Sequence, residues 1–488
     1  MSQIKDILYR VPILAVEGNT NHHITHIHID SRKVGLNDLF IAISGEASDG
    51  HDFIKSAIDK GALAIVCEKL PEQRNNGVTY IQVADARVAA AYIASNYYGN
   101  PSQDLQLIGV TGTNGKTTVA SLLYDLFFAA GFKVGLISTV VIKINETSYE
   151  TKLTTPDSLT INSYLAKMRD EEVEYVFMEV SSHGIAQKRS LGLHFQVGIF
   201  TNLSHDHLDY HETFAAYRDV KKQFFDQLPK TSVAITNIDD KNGNYMLQNT
   251  KAKKVSYALK SHADYQAKIL ENNFNGLLLK INQDEVWSGL IGSFNAYNLL
   301  AVFAASQALK LDRMESLRLI SQLKPVNGRF QQFTSKQLKV TAIVDYAHTP
   351  DALQNVLETI NDIRTKNEQL ICVVGCGGNR DASKRPLMAE IAASLSTKTI
   401  FTSDNPRFED PQQIIQEMEK GVSPTDVSKV LSVENREQAI KTACSLAQEG
   451  DIILIAGKGH ENYQEIKGER SPFDDFLMVK KHLLSQNK

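Results

Sequence analysis

The sequence predicts an α/β protein of three domains, the central one built on a P-loop-type sheet. Three observations predict this. At 488 residues the chain exceeds what one hydrophobic core organises, which asks for two to four domains. From "LQLIGVTGTNGKTT" onward, apolar runs alternate with Gly-rich loops and helical stretches, the pattern of a parallel sheet with crossover helices. That pattern has two breaks, the polar "YYGNPSQD" at 97–104 and "KPVNGRFQQF" at 324–333. The domains therefore fall at 1–100, 101–329 and 330–488.

Bulk properties exclude several classes. With 42% hydrophobic and 22% charged residues the composition is that of an ordinary soluble protein. A formal net charge of −4 gives no global attraction to nucleic acid or to an anionic membrane, so an anionic ligand must be held by local loops. The N-terminus lacks the basic start, apolar core and small-residue cleavage site of a secretory signal. No apolar run approaches the roughly 20 residues that span a bilayer. The four cysteines are scattered; Cys372 and Cys376 in "LICVVGCGGNRD" read as buried strand thiols in a reducing cytoplasm rather than a metal or redox pair.

In the first domain "HITHIHID", "DLFIAISG" and "ALAIVCEK" read as strands and "ARVAAAYIASNYY" as a helix. The alternation puts Ile27 and Ile29 on one face and His26 and His28 on the other, more an exposed strand face than a metal site.

The central domain opens with "GVTGTNGKTT". Gly112, Gly115, Lys116 and Thr117 follow a strand and begin a helix, a geometry that turns backbone N–H groups and a helix N-terminus toward phosphate. Lys116 then reaches the terminal phosphates and the Thr117 hydroxyl holds Mg²⁺. The spacing departs from the standard P-loop, since Val110 stands where the first Gly belongs. By contrast "GCGGNR" at 375–380 half-matches a dinucleotide fingerprint, with Arg380 in place of the last Gly.

Two further strands end in chemistry-bearing loops. "VFMEVSSHG" delivers Glu179, Ser181, Ser182 and His183, and "IFTNLSHDHLDYH" delivers Asp206, His207, Asp209 and His211. Carboxylate and imidazole beside a phosphate loop suit Mg²⁺-nucleotide chemistry. A metallohydrolase motif would need His directly after Asp209, and Tyr210 stands there. In the next helix, "ETFAAYRDVKKQFFDQL", Phe214, Tyr217, Phe224 and Leu228 share one face, and Lys221 falls inside that apolar stripe. Such a lysine either snorkels outward or is buried. Burial lowers its pKa and leaves a neutral amine, which can take up CO₂ as a carbamate and become an oxygen ligand for metal.

The last domain carries four apolar runs, each ending in a polar loop: "TAIVDYAHTPD", "LICVVGCGGNRD", "TIFTSDNPRFED" and "IILIAGKGHENYQ". In open parallel sheets ligands sit where such loops gather.

Taken in order, "GVTGTNGKTT", "MEVSSHG", "TNLSHDHLDYH", "GSFNAYN", "NGRF", "VDYAHTPDAL" and "AGKGHE" resemble the Mur ligases, cytoplasmic ATP-dependent amide ligases of peptidoglycan synthesis, over essentially the whole chain. The resemblance is closest to the branch that adds the third stem-peptide residue to UDP-N-acetylmuramoyl-L-alanyl-D-glutamate. It implies an N-terminal UDP-sugar-binding α/β domain, a central mononucleotide-binding sheet for ATP, and a C-terminal Rossmann-like domain for the incoming amino acid. It further implies that Ile29 and Ser31 contact the uridine nucleotide, with Glu46, Ala47 and Ser48 in a neighbouring loop. Gly112, Thr113, Asn114, Gly115, Lys116, Thr117 and Thr118 would cradle ATP, with Asn295 and Asn298 on its adenine side and Arg329 and Asp345 reaching it from the domain boundary. Thr154, Thr155, Ser181, Gln187 and Arg189 would hold the muramyl dipeptide. Thr117, Glu179, His207 and Lys221, the last as N6-carboxylysine, would serve Mg²⁺.

For the incoming amino acid the resemblance implies Arg380, Asp404, Asn405, Pro406, Arg407, Gly457 and Glu461. Asp-Asn-Pro-Arg marks members that use meso-diaminopimelate, and lysine-adding relatives lack the Arg. Diaminopimelate is lysine with a second carboxylate, which a guanidinium can bind bidentately. Lysine would leave that guanidinium unpaired, at about 1–3 kcal/mol when buried. The implied reaction runs through an acyl phosphate made from the substrate carboxylate and ATP, then attack by the amine, in a monomer with neither nucleic-acid nor membrane partner. The competing readings are the same ligase using L-lysine, a folylpolyglutamate-type ligase, a nucleotide-binding module without ligase activity, and a metallohydrolase.

Overall fold

The computed structural model describes residues 2–45, 48–151 and 153–485. Its strands form a five-stranded, an 11-stranded and a six-stranded sheet, in chain order, plus two small two-stranded ribbons. The N-terminal sheet runs Ile13–Glu17, Thr79–Val83, Ala62–Cys67, Asp38–Ile41, Ile27–His28 across its width. The helix Ala86–Tyr97 covers it, its first turn closed by Asp85, whose carboxylate accepts from the N–H groups of Arg87 and Val88.

The run "HITHIHID" is not one strand. His23–Ile24 pairs with Ser2–Gln3, whereas Ile27–His28 pairs in parallel with Asp38–Ile41. Between them the Thr25 N–H bonds the Asn37 carbonyl and the His26 N–H bonds the Asp38 carboxylate at 2.9 Å, which breaks the extended run. The boundary stretch 97–104 is held in place. Asn100 takes a left-handed φ of 54°, a short 3₁₀ turn follows at Pro101–Gln103, and the buried Ser102 hydroxyl accepts from the His194 N–H at 3.0 Å.

At the middle of the central sheet, Gln106–Thr111 lies between Tyr175–Glu179 and Phe195–Phe200, parallel to both. All three strands therefore end on the same edge, and their loops meet there. Val134–Ile137, Val233–Asn237 and Lys253–Ala258 extend the parallel part. The alternating pattern does not announce the remainder. A hairpin of Ile142–Ile144 and Thr147–Tyr149 closes one edge, and the antiparallel strands Tyr265–Asn273, Gly276–Ile281 and Asp284–Ser288 extend the other. The sheet is mixed because these edge strands are joined by tight turns, which permit only antiparallel pairing.

The C-terminal sheet places Thr341–Asp345, Ile452–Ala456, Leu370–Val374 and Lys398–Phe401 side by side and parallel. Their four loops again share one edge. Beneath two of them a buried pair joins Arg436 to Asp475 at 2.6 Å, both side chains 0% exposed. The same guanidinium donates to the carbonyls of Ala456 (3.1 Å) and Ser403 (3.5 Å), tying together the strand ends that precede Gly457 and Asp404. Asp475→Ala strands a buried guanidinium and is expected to cost about 3–5 kcal/mol. Urea unfolding should show that loss, whereas Glu449→Ala, which breaks the exposed Lys339–Glu449 pair, should barely shift the transition.

Candidate active site

The loop 112–116 leaves the central strand and enters the helix Lys116–Ala129. Gly115 caps it with φ 86°, and a Cβ there would meet Asn298 Oδ1 at 2.6 Å; one on Gly112 would meet Thr201 Oγ1 at 1.9 Å. Glycine is required at both places because neighbouring polar groups press against the loop backbone. Thr113 and Asn114 donate their N–H groups to the backbone carbonyl and side-chain Oδ1 of Asn202. Thr201 Oγ1 donates to the Asn114 carbonyl at 2.6 Å. Lys116 Nζ folds onto the carbonyls of Gly112 (2.9 Å) and Thr113 (2.7 Å). Desolvation there lowers its pKa, against the pull of Glu179 and Asp206.

Glu179 is fully buried at the end of its strand. One carboxylate oxygen accepts from Thr117 Oγ1 at 3.0 Å and the other from the Thr139 N–H at 2.7 Å. A carboxylate beside a hydroxyl is an oxygen donor set of the kind Mg²⁺ takes, so Thr117 and Glu179 fit the ion. His207 sits in a left-handed turn (φ 54°), its ring edge-on to His183 at 4.8 Å. Burial lowers its pKa to about 4, keeping the imidazole neutral and able to ligate. His205, by contrast, is exposed. Among the described residues no three His, Cys, Asp or Glu side chains gather as a metal cage.

Lys221 is buried, not snorkelling. It sits on the helix Phe214–Asp226 at 1% exposure, and its Nζ donates to the Gly112 carbonyl at 2.8 Å and lies 4.8 Å from the centre of the Tyr217 ring. Desolvation, reinforced by Lys116, pushes its pKa well below the usual 10.5. Burial thus favours the neutral amine, the form that reacts with CO₂.

A second cluster surrounds the other side of Glu179. Thr155 Oγ1 donates to the Glu179 carbonyl at 2.8 Å and accepts from the Ser181 N–H at 2.9 Å. Arg189 grips the Thr155 carbonyl (2.7 Å) and Gln187 Oε1 (2.6 Å), and Thr154 accepts from Thr139 Oγ1 at 3.1 Å. The structure thus brings together Thr154, Thr155, Ser181, Gln187 and Arg189. Ile29 and Ser31 follow the last strand of the N-terminal sheet; Ile29 packs on its core, and the Ser31 carbonyl accepts from Lys60 Nζ at 2.8 Å. Glu46 and Ala47 lie outside the described residues; Ser48 is exposed.

The domain boundary reaches the phosphate loop directly. Arg329 Nη2 donates to Thr117 Oγ1 at 3.0 Å while its guanidinium stacks 4.6 Å above the Tyr346 ring. Asp345 accepts from the Phe330 N–H at 2.7 Å, and burial raises its pKa despite Arg329. Asn298 Nδ2 donates to Asn295 Oδ1 at 3.0 Å. On the neighbouring loops Asn405 accepts from Lys458 Nζ (3.0 Å) and donates to Glu461 Oε2 (2.7 Å). Burial, reinforced by Asp404, raises the Glu461 pKa. Gly457 comes close to Asp404, whose Oδ2 would lie 2.8 Å from a Cβ there. Arg407 Nη1 donates to the Gly378 carbonyl at 2.8 Å, and Arg380 is exposed at the rim.

Family models cover most of the chain. The Mur ligase middle domain matches residues 110–306, the Mur ligase glutamate ligase domain 328–459, and the Mur ligase family catalytic domain 23–98. The chain is 53% identical over 478 residues, covering 98% of both chains, to the UDP-N-acetylmuramoyl-L-alanyl-D-glutamate–2,6-diaminopimelate ligase of Bacteroides fragilis. The chain belongs to the Mur ligase family. The correspondingly named enzyme of Cytophaga hutchinsonii is 52% identical over 99% of each chain. A solved structure of a ligase of that name is 33% identical, with a TM-score of 0.70, covering 100% of this chain and 99% of the other. A folylpolyglutamate synthase from Mycobacterium tuberculosis is 18% identical with a TM-score of 0.62, covering 76% of this chain and 92% of the other, and shares the fold.

Some residues of this Mur ligase site carried no signal in the sequence. Asp351 of the C-terminal domain accepts from Asn114 Nδ2 (2.9 Å) and Ser204 Oγ (2.8 Å), joining two loops of the central domain. It lies where the apolar run "TAIVDYAHTPD" reads as ending in a polar loop; the structure begins the helix Pro350–Ile363 there, and the contact across the seam has no local signature. In CO₂-free buffer the unfolded chain holds a proton on Lys221 that the folded chain does not. Stability should therefore rise with pH from the depressed folded pKa up to the ordinary 10.5 and level off above it. Lys221→Met should lower that slope by about 1.4 kcal/mol per pH unit, read from urea midpoints across pH.

Proposed function

We propose that this Mur ligase adds meso-2,6-diaminopimelate to UDP-N-acetylmuramoyl-L-alanyl-D-glutamate at the expense of ATP, in peptidoglycan synthesis. The observation that carries the choice of amino acid is Arg407. Its guanidinium is oriented by the Gly378 carbonyl, and among the described residues no ion pair joins it to a carboxylate. A ligand with a second carboxylate supplies the missing partner bidentately, and lysine does not. Relatives 52–53% identical over nearly the whole chain carry the diaminopimelate name.

The protein's contribution is positioning and charge. The loop 112–118 holds the triphosphate through Lys116 and the N–H groups that open its helix, with Asn295 and Asn298 on the base side and Arg329 and Asp345 closing over it from the seam. Thr117, Glu179, His207 and a carbamylated Lys221 would hold Mg²⁺, which when bound offsets phosphate charge. Arg189, Gln187, Ser181, Thr154 and Thr155 present the dipeptide carboxylate, and Ile29 and Ser31 hold its uridine end. A carboxylate oxygen bonds to the γ-phosphorus as the β–γ bridging bond breaks and ADP leaves. The amine then bonds to the acyl carbon, loses a proton, and expels phosphate. Arg380, Arg407, Asp404, Asn405, Pro406, Gly457 and Glu461 fix the amine's carrier, and enclosure between the domains keeps water from the acyl phosphate. The reaction is assigned to the cytoplasm and to a single chain. Among the described residues no helix is long and apolar enough to cross a membrane.

Phosphate release with ATP, Mg²⁺ and the UDP-muramyl dipeptide tests this reading. Release should require meso-diaminopimelate, and L-lysine or no amino acid should leave it at background. Release with lysine alone would keep the ligase but overturn the role of Arg407; release with no amino acid would contradict amide ligation. Lys221→Ala should lose nearly all activity and regain part of it with bicarbonate or a short carboxylic acid.

A further inference from the structure

The Asp404–Arg407 segment does not hold its own shape. Arg407 has a left-handed backbone, φ 52°, a conformation that costs a non-glycine residue energy and persists when neighbours impose it. The neighbour is the two-stranded ribbon Tyr463–Ile466 and Glu469–Pro472, turned through Lys467 (φ 52°) and Gly468 (φ 83°). Its first strand lies beside the segment and meets it in one parallel bridge, Arg407 to Ile466. The Arg407 N–H donates to the Glu465 carbonyl at 3.1 Å, and the Lys467 N–H donates to the Arg407 carbonyl. Gln464 Nε2 donates to the Asp404 carbonyl at 2.7 Å, and the Glu465 N–H donates to Asn405 Oδ1 at 2.9 Å. On the far side Gly378 is pressed so close that a Cβ there would meet the Pro406 carbonyl oxygen at 2.0 Å. The segment is therefore clamped between a glycine loop and a strand, and the side chain that bonds it from the strand is Gln464.

We propose that the ribbon 463–472 is a specificity template, and that Gln464 is a positioning residue which sets the diaminopimelate preference by fixing the backbone that aims Arg407. The inference rests on the functional reading above. Gln464 is half-buried, its amide bonds only main chain here, and it lies outside the nucleotide loop. Losing it should therefore loosen one subsite and leave the others as they are. A guanidinium that samples more orientations binds the second carboxylate more weakly, while the phosphoryl-transfer geometry is untouched.

The test is steady-state kinetics of the full-length Gln464→Ala and Gln464→Glu variants beside the wild type. Gln464→Glu keeps the size and replaces the donor by a carboxylate facing the Asp404 carbonyl. Both should raise KM for meso-diaminopimelate about fivefold, the effect of one neutral hydrogen bond, with kcat and the KM values for ATP and the UDP-muramyl dipeptide unchanged. The kcat/KM ratio of diaminopimelate to L-lysine should fall by the same factor. A KM for diaminopimelate equal to wild type, or an equal rise in all three KM values, would overturn the proposal. If Gln464→Ala also lowers Tm, the near-isosteric Gln464→Glu decides. A wild type that releases no phosphate with diaminopimelate would overturn the functional reading, and this inference with it.

Discussion

Two lysines, one buried and one half-buried, share one carbonyl oxygen. Lys116 and Lys221 both donate to the Gly112 carbonyl, at 2.9 and 2.8 Å. Two full ammonium charges so close in a poorly solvated place repel strongly, so the arrangement favours one of them neutral. Lys221, set in an apolar helix face and 1% exposed, is the one whose pKa is pushed well below the usual 10.5. This constraint organises the centre of the molecule. It leaves Lys116 held against the loop by the Gly112 and Thr113 carbonyls. It also favours the neutral amine at Lys221, which rests on the Gly112 carbonyl beside the Tyr217 ring.

Catalysis by such a protein depends on what lies across the seam. The phosphate loop belongs to one sheet and the amino-acid loops to another, and neither alone makes a site. A few polar contacts join them: Arg329 to Thr117, and Asp351 to both Asn114 and Ser204. The apolar packing is continuous there too, since Ile291, Phe294 and Phe274 of the central domain pack into the C-terminal core with Phe330. Gly328 is stacked against Gly459 and His460, so the hinge that carries Arg329 also touches the loop that carries Glu461. The segments that carry Arg329 and Glu461 are thereby packed backbone to backbone.

The parts legible in the sequence were those whose physics is local. The phosphate loop is one contiguous run, and Lys221 stood out because a helix face has a period that one cation interrupts. The four C-terminal strands ended in loops that the parallel sheet then gathered. What escaped depended on pairing between distant segments. Tyr265–Asn273 joins the sheet edge in parallel, and Gly276–Ile281 and Asp284–Ser288 follow it as antiparallel strands that the helix–strand rhythm does not foretell. The run from His23 to His28 looked like one strand and is divided between two partners. The ribbon beside Arg407 and the Asp351 contacts are likewise long-range. The DNPR segment was readable as chemistry, whereas the strand that holds it in shape was not.

The central claim, that burial on the Gly112 carbonyl leaves Lys221 as a neutral amine that captures CO₂, is tested most directly by ¹³C NMR of the protein equilibrated with ¹³C-bicarbonate. The account predicts a carbamate carbonyl resonance in the wild type that is absent from Lys221→Met. A wild-type spectrum without that resonance, or one in which it persists in Lys221→Met, would contradict the claim.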